Sequence, residues 1–326
     1  MTVQSRSSSN TIIAIIIIAA IVIIGLFLLQ GRSGQPGATS SPKASETASA
    51  SAEASPSASA SASATPSGGS PAASSSAGEL KIEATEYKFS APTQVQAGVT
   101  RIVVDNVGKE DHQAEVAKIA DGKTFADLTA ALQQPDPSAA LKLLSLNGGP
   151  TGVAPGAKGT TTSNLAPGQY AFLCFMQSAD GVPHFAKGMI APLEVTGTAS
   201  NSPLPTGDAN LSLQDYSFGG LTSLSAGHHT VTVTNKGPQP HEATIVKLNE
   251  GTTVEQVQKY FTTTPTPSGP PPWTNAGGIA GIAPGTTASM EVDLAAGDYA
   301  LICFIPDQSS GKPHAALGMV AGLKAQ

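Results

Sequence analysis

The chain has 326 residues, a formal net charge of −6, 12% charged residues and 5% aromatics. Its 17 Lys and Arg face 23 Asp and Glu, and no basic run occurs anywhere. That excludes nucleic acid as a partner and a polybasic lipid-binding patch, because both need clustered cations.

Residues 1–10 are a short polar tail, and Thr11 to Leu29 then reads TIIAIIIIAAIVIIGLFLL inside an uncharged stretch bounded by Arg6 and Arg32. As a helix, this segment would be about 28 Å long, enough to cross a hydrocarbon core. A cleaved signal peptide has a shorter apolar region followed by a small-x-small site, and no such pair follows Leu29. Residues 11–29 are therefore expected to be a single transmembrane anchor. Residues 33–78 follow as a tether: Ser and Ala supply 29 of the 46 residues, and Ile, Leu, Val, Met and aromatics are absent. Such a segment buries too little apolar surface to offset its ordering entropy, so a disordered linker is expected.

From Glu79 onward, apolar and polar residues alternate in short runs broken by Gly and Pro. Leu80–Ala84 and Thr230–Thr234 show the period-two pattern of half-buried strands. The region also repeats itself at an offset of 129. Ala97-Gly98 and Arg101-Ile-Val-Val-Asp-Asn-Val-Gly108 return as Ala226-Gly227 and Thr230-Val-Thr-Val-Thr-Asn-Lys-Gly237. Val153-Ala-Pro-Gly156 returns as Ile282-Ala-Pro-Gly285, and Ala166-Pro-Gly-Gln-Tyr-Ala171 as Ala295-Ala-Gly-Asp-Tyr-Ala300. Two tandem copies of one domain are expected, over 79–197 and 203–326. Each copy carries a helical insertion, Phe125–Leu132 or Val254–Phe261, with apolar residues three and four apart. Short strands with turn signals between them predict a mainly β, Greek-key sandwich for each copy.

The duplication isolates the chemistry. His112 and His241 follow Asn-x-Gly turns, Cys174 and Cys303 end strand-like runs, His184 and His314 follow Pro, and Met189 and Met319 follow Gly. The first His precedes the Cys by 62 residues in both copies, the second His follows the Cys by 10 or 11, and the Met lies five beyond it. A thiolate, two imidazoles and a thioether form the donor set of a trigonal His2Cys copper site with a long axial Met bond. The spacing suits that use, with one His held on its own strand while Cys, His and Met converge from a single loop.

This arrangement resembles the cupredoxins, the blue-copper fold. Asn235-Lys-Gly-Pro-Gln-Pro-His241 and Cys303 through Pro313-His314-x4-Met319 carry the likeness, as do their counterparts in the first copy. The resemblance implies one copper per domain, up to two, and one-electron transfer to and from redox partner proteins. It departs from the family's small carriers in its loops, with nine and ten residues between Cys and the second His. The copper nitrite reductases are similar in having a long loop that also ends His-x4-Met. In the first copy Asp111 precedes His112 where the second has Pro240, placing a carboxylate beside the first group.

Other readings are weaker. Two cysteines in an exported chain commonly pair, but these occupy corresponding strand ends of separate copies, and a bridge needs Cα atoms within about 7 Å. A Cys–His nucleophile gives no reason for a Met in register. Gly-x-Ser-x-Gly, Walker-type and His-Glu-x-x-His runs are absent. No catalytic residue is expected, and with only His228 and His229 left over there are too few imidazoles for a trinuclear cluster or a nitrite-reducing copper. Those two are expected to be exposed, Trp273 to serve packing, Gly148-Gly149 and Gly277-Gly278 to be turns or close backbone approaches, and Glu115 and Glu242 to be solvated. The expectation is a membrane-anchored, extracytoplasmic electron carrier, suited to a bacterial cell envelope. Copper capture or delivery at the cell surface, or a metal-free interaction module, are the alternatives.

Overall fold

The computed structural model describes residues 78–134, 138–199, 202–264, 267 and 269–326. The anchor expected at 11–29 and the tether, apart from Gly78, lie outside the described residues. Among the described residues no helix is long and apolar enough to cross a membrane.

The first copy runs β1 (Gly78–Thr85), β2 (Lys88–Ser90), β3 (Gln94–Gln96), β4 (Gly98–Asn106), β5 (Glu115–Ile119), α1 (Phe125–Leu132), α2 (Ser138–Leu141), β6 (Leu144–Leu146), β7 (Lys158–Leu165), β8 (Gly168–Leu173) and β9 (Ile190–Thr196). The second repeats the order as β10 (Ala209–Gln214), β11 (Ser217–Gly219), β12 (Ser223–Leu224), β13 (Gly227–Asn235), β14 (His241–Leu248), α3 (Val254–Thr262), β15 (Trp273–Ile282), β16 (Thr287–Leu294), β17 (Gly297–Ile302) and β18 (Val320–Ala325). In β1, Leu80, Ile82 and Ala84 are buried while Lys81 and Glu83 are exposed, the alternation of a sheet with one face on the core. Two five-stranded sheets, β3-β9-β8-β5-β6 and β12-β18-β17-β14-β15, each face half of one eight-stranded sheet, β11-β10-β13-β16-β7-β4-β1-β2. The result is two cupredoxin-like sandwiches sharing a layer.

The shared layer forms where β7 pairs antiparallel with β16, matching Thr160 to Glu291, Thr161 to Met290 and Thr162 to Ser289. At the repeat offset Thr160 corresponds to Ser289 and Thr162 to Glu291, so the contact is isologous, as at a two-fold dimer interface. Arg101 braces it with a bidentate pair to Glu291, both bonds 3.0 Å. The other layers also join through a repeat-related pair of backbone bonds, Thr151 N–H to Gly278 O (3.3 Å) and Ala280 N–H to Gly149 O (2.8 Å). Gly149 and Gly278 are close backbone approaches, since a Cβ on either would strike the carbonyl of Ala114 or Ala243.

α1 and α3 each begin at a capping box, Thr124 with Asp127 and Thr253 with Gln256. They lie on the outer faces of the five-stranded sheets. Leu128 packs with Ala117, Ile119, Ala171 and Leu173, and Val257 with Val246, Leu248, Trp273 and Ile302. Trp273 has the packing role expected of it, edge-on to Tyr260 and stacked on Phe261. Tyr170 and Tyr299 bond back to the carbonyls of Ala166 and Ala295, a tyrosine-corner contact repeated in both copies.

Candidate metal centres

Each candidate centre is assembled by the same local devices. Asn106 Nδ2 donates to the carbonyls of Glu110 (2.8 Å) and Val153 (2.7 Å), and its Oδ1 accepts the Gly108 N–H. Asn235 repeats this with Gln239, Ile282 and Gly237. The Asn-x-Gly turn is thereby tied to the segment that pairs with the first His, Val153 for His112 and Ile282 for His241. The second His opens a 3-10 turn, His184–Lys187 or His314–Leu317. Left-handed Gly188 (φ 109) or Gly318 (φ 113) ends that turn and reverses the chain, so that the Met N–H meets the His carbonyl.

These turns bring six side chains into two buried triads, His112–Cys174–His184 and His241–Cys303–His314. In the first, Cys174 Sγ lies 3.4 Å from His184 Nδ1 and 4.0 Å from His112 Nδ1, and the two Nδ1 atoms are 3.2 Å apart. In the second, Cys303 Sγ lies 3.4 Å from His314 Nδ1 and 4.0 Å from His241 Nδ1. All four imidazoles and both thiols are fully buried. Met189 and Met319 are equally buried and share a core cluster with Cys174 and Cys303 respectively. Both cysteines are free. Each sulfur faces a backbone N–H, Gln113 at 3.4 Å or Glu242 at 3.5 Å, which suits a thiolate.

Burial sets the protonation states. It pushes the Cys174 thiol up to about 12, and Cys303 well above its ordinary value with the Glu242 charge adding to the effect. Burial and then the charge of the neighbouring imidazole push His112 and His314 down to about 4, and burial lowers His184 and His241. At neutral pH each triad is two neutral imidazoles, with ring nitrogens free to ligate, converging on a thiol. Both groups fit type 1 copper sites.

Several neighbours escape sequence reasoning. Glu86 and Tyr87, with their counterparts Asp215 and Tyr216, sit at the tip of the hairpin β1–β2 or β10–β11 and reach the triads. Tyr87 stands edge-on to His184 (ring centroids 5.2 Å) and Tyr216 to His314 (5.1 Å). Asp215 Oδ1 is 2.6 Å from His241 Nε2. The signal was present, since Glu86-Tyr-Lys-Phe89 returns at the same offset as Asp215-Tyr-Ser-Phe218.

Other expectations need correction. Glu115 and Glu242 are not solvated but 2% and 7% exposed, because Glu115 takes the Gly281 N–H of the other domain and Glu242 the Phe304 N–H of its own. Asp111 turns from the first triad and accepts the Asn275 side chain of the other domain at 2.7 Å. His228 is exposed as expected, but His229 is partly covered and lies 2.5 Å from an Asp208 oxygen.

Solved structures that resemble the chain include three copper proteins. Auracyanin from the photosynthetic bacterium Roseiflexus castenholzii matches at 19% identity over 36% of this chain and 94% of its own, with a TM-score of 0.25. Auracyanin A, a blue copper protein of Chloroflexus aurantiacus, matches at 22% over 36% and 96%, with a TM-score of 0.24. A copper-containing nitrite reductase from Thermus scotoductus matches at 14% over 76% of this chain, which spans 61% of the reductase, with a TM-score of 0.22. No protein-family model and no curated protein matches the sequence. The strand order and the two ligand groups define a tandem, cupredoxin-like protein with two candidate type 1 copper centres.

Proposed function

We propose that the protein is a copper-binding electron carrier, holding one copper per domain and up to two in all. In this reading it is anchored in a membrane by residues 11–29 and presents both domains outside the cytoplasm, on a bacterial cell envelope, to redox partner proteins. The observation that carries the reading is the buried His–Cys–His triad built twice by the same turns. Bound there, copper supplies a one-electron Cu(II)/Cu(I) couple. The chain contributes rigidity: the backbone of each ligating histidine is hydrogen-bonded and each sulfur accepts a backbone N–H within a close-packed core, so their positions change little with charge.

A carrier is favoured over an oxidase or nitrite reductase by the two histidines outside the triads. His228 and His229 are adjacent on β13 and so point to opposite faces of a sheet. His229 is in addition held by Asp208 and by the carbonyl of Ser225. They cannot join one metal cluster.

The test is the visible spectrum and bound copper of the purified protein after Cu(II) addition. The expected outcome is an intense blue thiolate-to-copper band with two coppers per chain, halved in Cys174→Ala or Cys303→Ala and lost in the double variant. A reversible midpoint potential at an electrode separates a carrier from a copper store, and a colourless protein that binds no copper overturns both.

A further inference from the structure

We propose that Glu115, a residue of the first domain, is a positioning residue for the second metal centre; the inference rests on reading His241, Cys303 and His314 as copper ligands. The ladder between β14 and β15 is irregular beside the ligand. As β14 steps from His241 to Ala243, its partner steps from Ile282 to Ile279. Such a bulge leaves backbone groups without a partner in their own sheet. The two residues passed over are Ala280 and Gly281, and the first domain takes both N–H groups. Gly149 O accepts Ala280 at 2.8 Å, and Glu115 Oε2 accepts Gly281 at 2.7 Å. Gly281 precedes Ile282, which faces His241 and whose carbonyl anchors Asn235. Glu115 therefore pins the strand against which the first ligand of the other domain is aligned.

Position 281 is bare so that this approach can occur. A Cβ there would lie 2.9 Å from Glu115 Oε2 and 2.5 Å from Leu146 Cδ1. A second buried carboxyl works beside it. Glu242 Oε1 accepts the N–H of Phe304 at 2.8 Å, next to Cys303.

The repeat supplies the internal control. Thr244 stands where Glu115 would recur, and Gln113 where Glu242 would precede it, so neither carboxyl is a requirement of the sandwich. Burying Glu115 is costly, since it is 2% exposed and its Oε1 has no partner. That cost is borne at one boundary only, on the side of the second centre.

The experiment uses the full chain in two backgrounds, Cys174→Ser to leave only the second centre and Cys303→Ser to leave only the first. Glu115→Leu is expected to speed amide exchange at Gly281 in the metal-free protein by about tenfold, as loss of one hydrogen bond implies. It should also shift the thiolate–copper band and the potential of the second centre while leaving the first unchanged. Glu115→Gln, which keeps an acceptor, should restore both. Should Glu115→Leu fail to fold, Gly281→Ala displaces the same carboxyl from the opposite side and must shift the second centre alone. An unaltered second centre in the folded variants, or an equal change in both centres, overturns the proposal. A wild-type chain without any thiolate–copper band overturns the proposed function instead, and Gly281 exchange then still decides whether Glu115 holds the strand.

Discussion

The two candidate centres share their ligands but not the groups behind them. In the second, Asp215 reaches Nε2 of the first histidine, His241, at 2.6 Å, while Nε2 of His314 has no partner. In the first, Glu86 holds Asp215's place but turns to the backbone N–H groups of Lys109 and Glu110, staying 3.9 Å from His112 Nε2. Glu110, replaced by Gln239 in the second copy, instead lies 2.8 Å from Nε2 of the second histidine, His184. The carboxylate has changed histidines between the copies. A metal fixes what its first layer must be, whereas several arrangements of the next layer can orient the same imidazole, and the copies have taken different ones.

The ligand loops differ most, and there the largest contrast is expected. Asp307, 3% exposed, accepts bonds from the backbone and hydroxyl groups of Ser309 and Ser310, from Tyr216 Oη (2.8 Å) and from Gln239 Nε2 (3.0 Å). Burial alone would raise its pKa, but these donors outweigh burial and hold the carboxyl well below the usual range. Ser178 takes this place in the first loop and makes a single side-chain bond, to Tyr87 (3.0 Å). Asp307→Ala should destabilise the protein by about 3 kcal/mol in denaturant titration. It should broaden the copper signal of the second centre and spare the first. Equal loss at both centres would show that the loops are not independent.

A smaller contrast should follow from the exchanged carboxylates. A carboxylate on the remote nitrogen of a ligating histidine makes it a stronger donor and favours the higher oxidation state. Asp215→Asn should therefore raise the potential of the second centre only, and Glu110→Gln that of the first only. Each shift should be on the order of 50 mV, since a tenfold change in relative affinity is about 59 mV for one electron. Voltammetry in the single-centre Cys→Ser backgrounds reads each one separately. A shift in the wrong centre would break the comparison.

What was legible in the sequence follows the same division. His112, Cys174, His184 and Met189 stood out because each returns at a near-constant offset, and α1 and α3 because their apolar residues recur three and four apart. Glu115 and Glu242 were misread because a carboxylate between apolar residues gives no hint of the backbone N–H that will meet it. For Glu115 that N–H belongs to Gly281, 166 residues away in the other domain. The join between the domains was hidden for a related reason. Thr160–Thr162 and Ser289–Glu291 carry no residue pattern that sets them apart from other strand residues, and only their mutual pairing makes one sheet of two.

The smallest contrast concerns protons, where the two centres should behave alike. Both thiols are held protonated at neutral pH by burial, and the histidines are already neutral, so copper uptake at pH 7 should release one proton per centre. From pH 7 downward affinity should fall tenfold per pH unit through the thiol, with His184 and His241, which burial lowers, adding to the fall as they protonate. Nearer pH 4, His112 in one triad and His314 in the other begin to protonate and the fall should steepen. These histidines also fix a sign for the metal-free protein. Their folded pKa values lie below the unfolded value near 6.5, so the unfolded chain binds protons first and stability falls as pH drops from about 6.5 towards 4. Proton release measured in lightly buffered solution, one centre at a time, checks the first point. Release of two protons at either centre would mean that one of its imidazoles is charged in the resting protein, and the likeness of the two triads would end at their geometry.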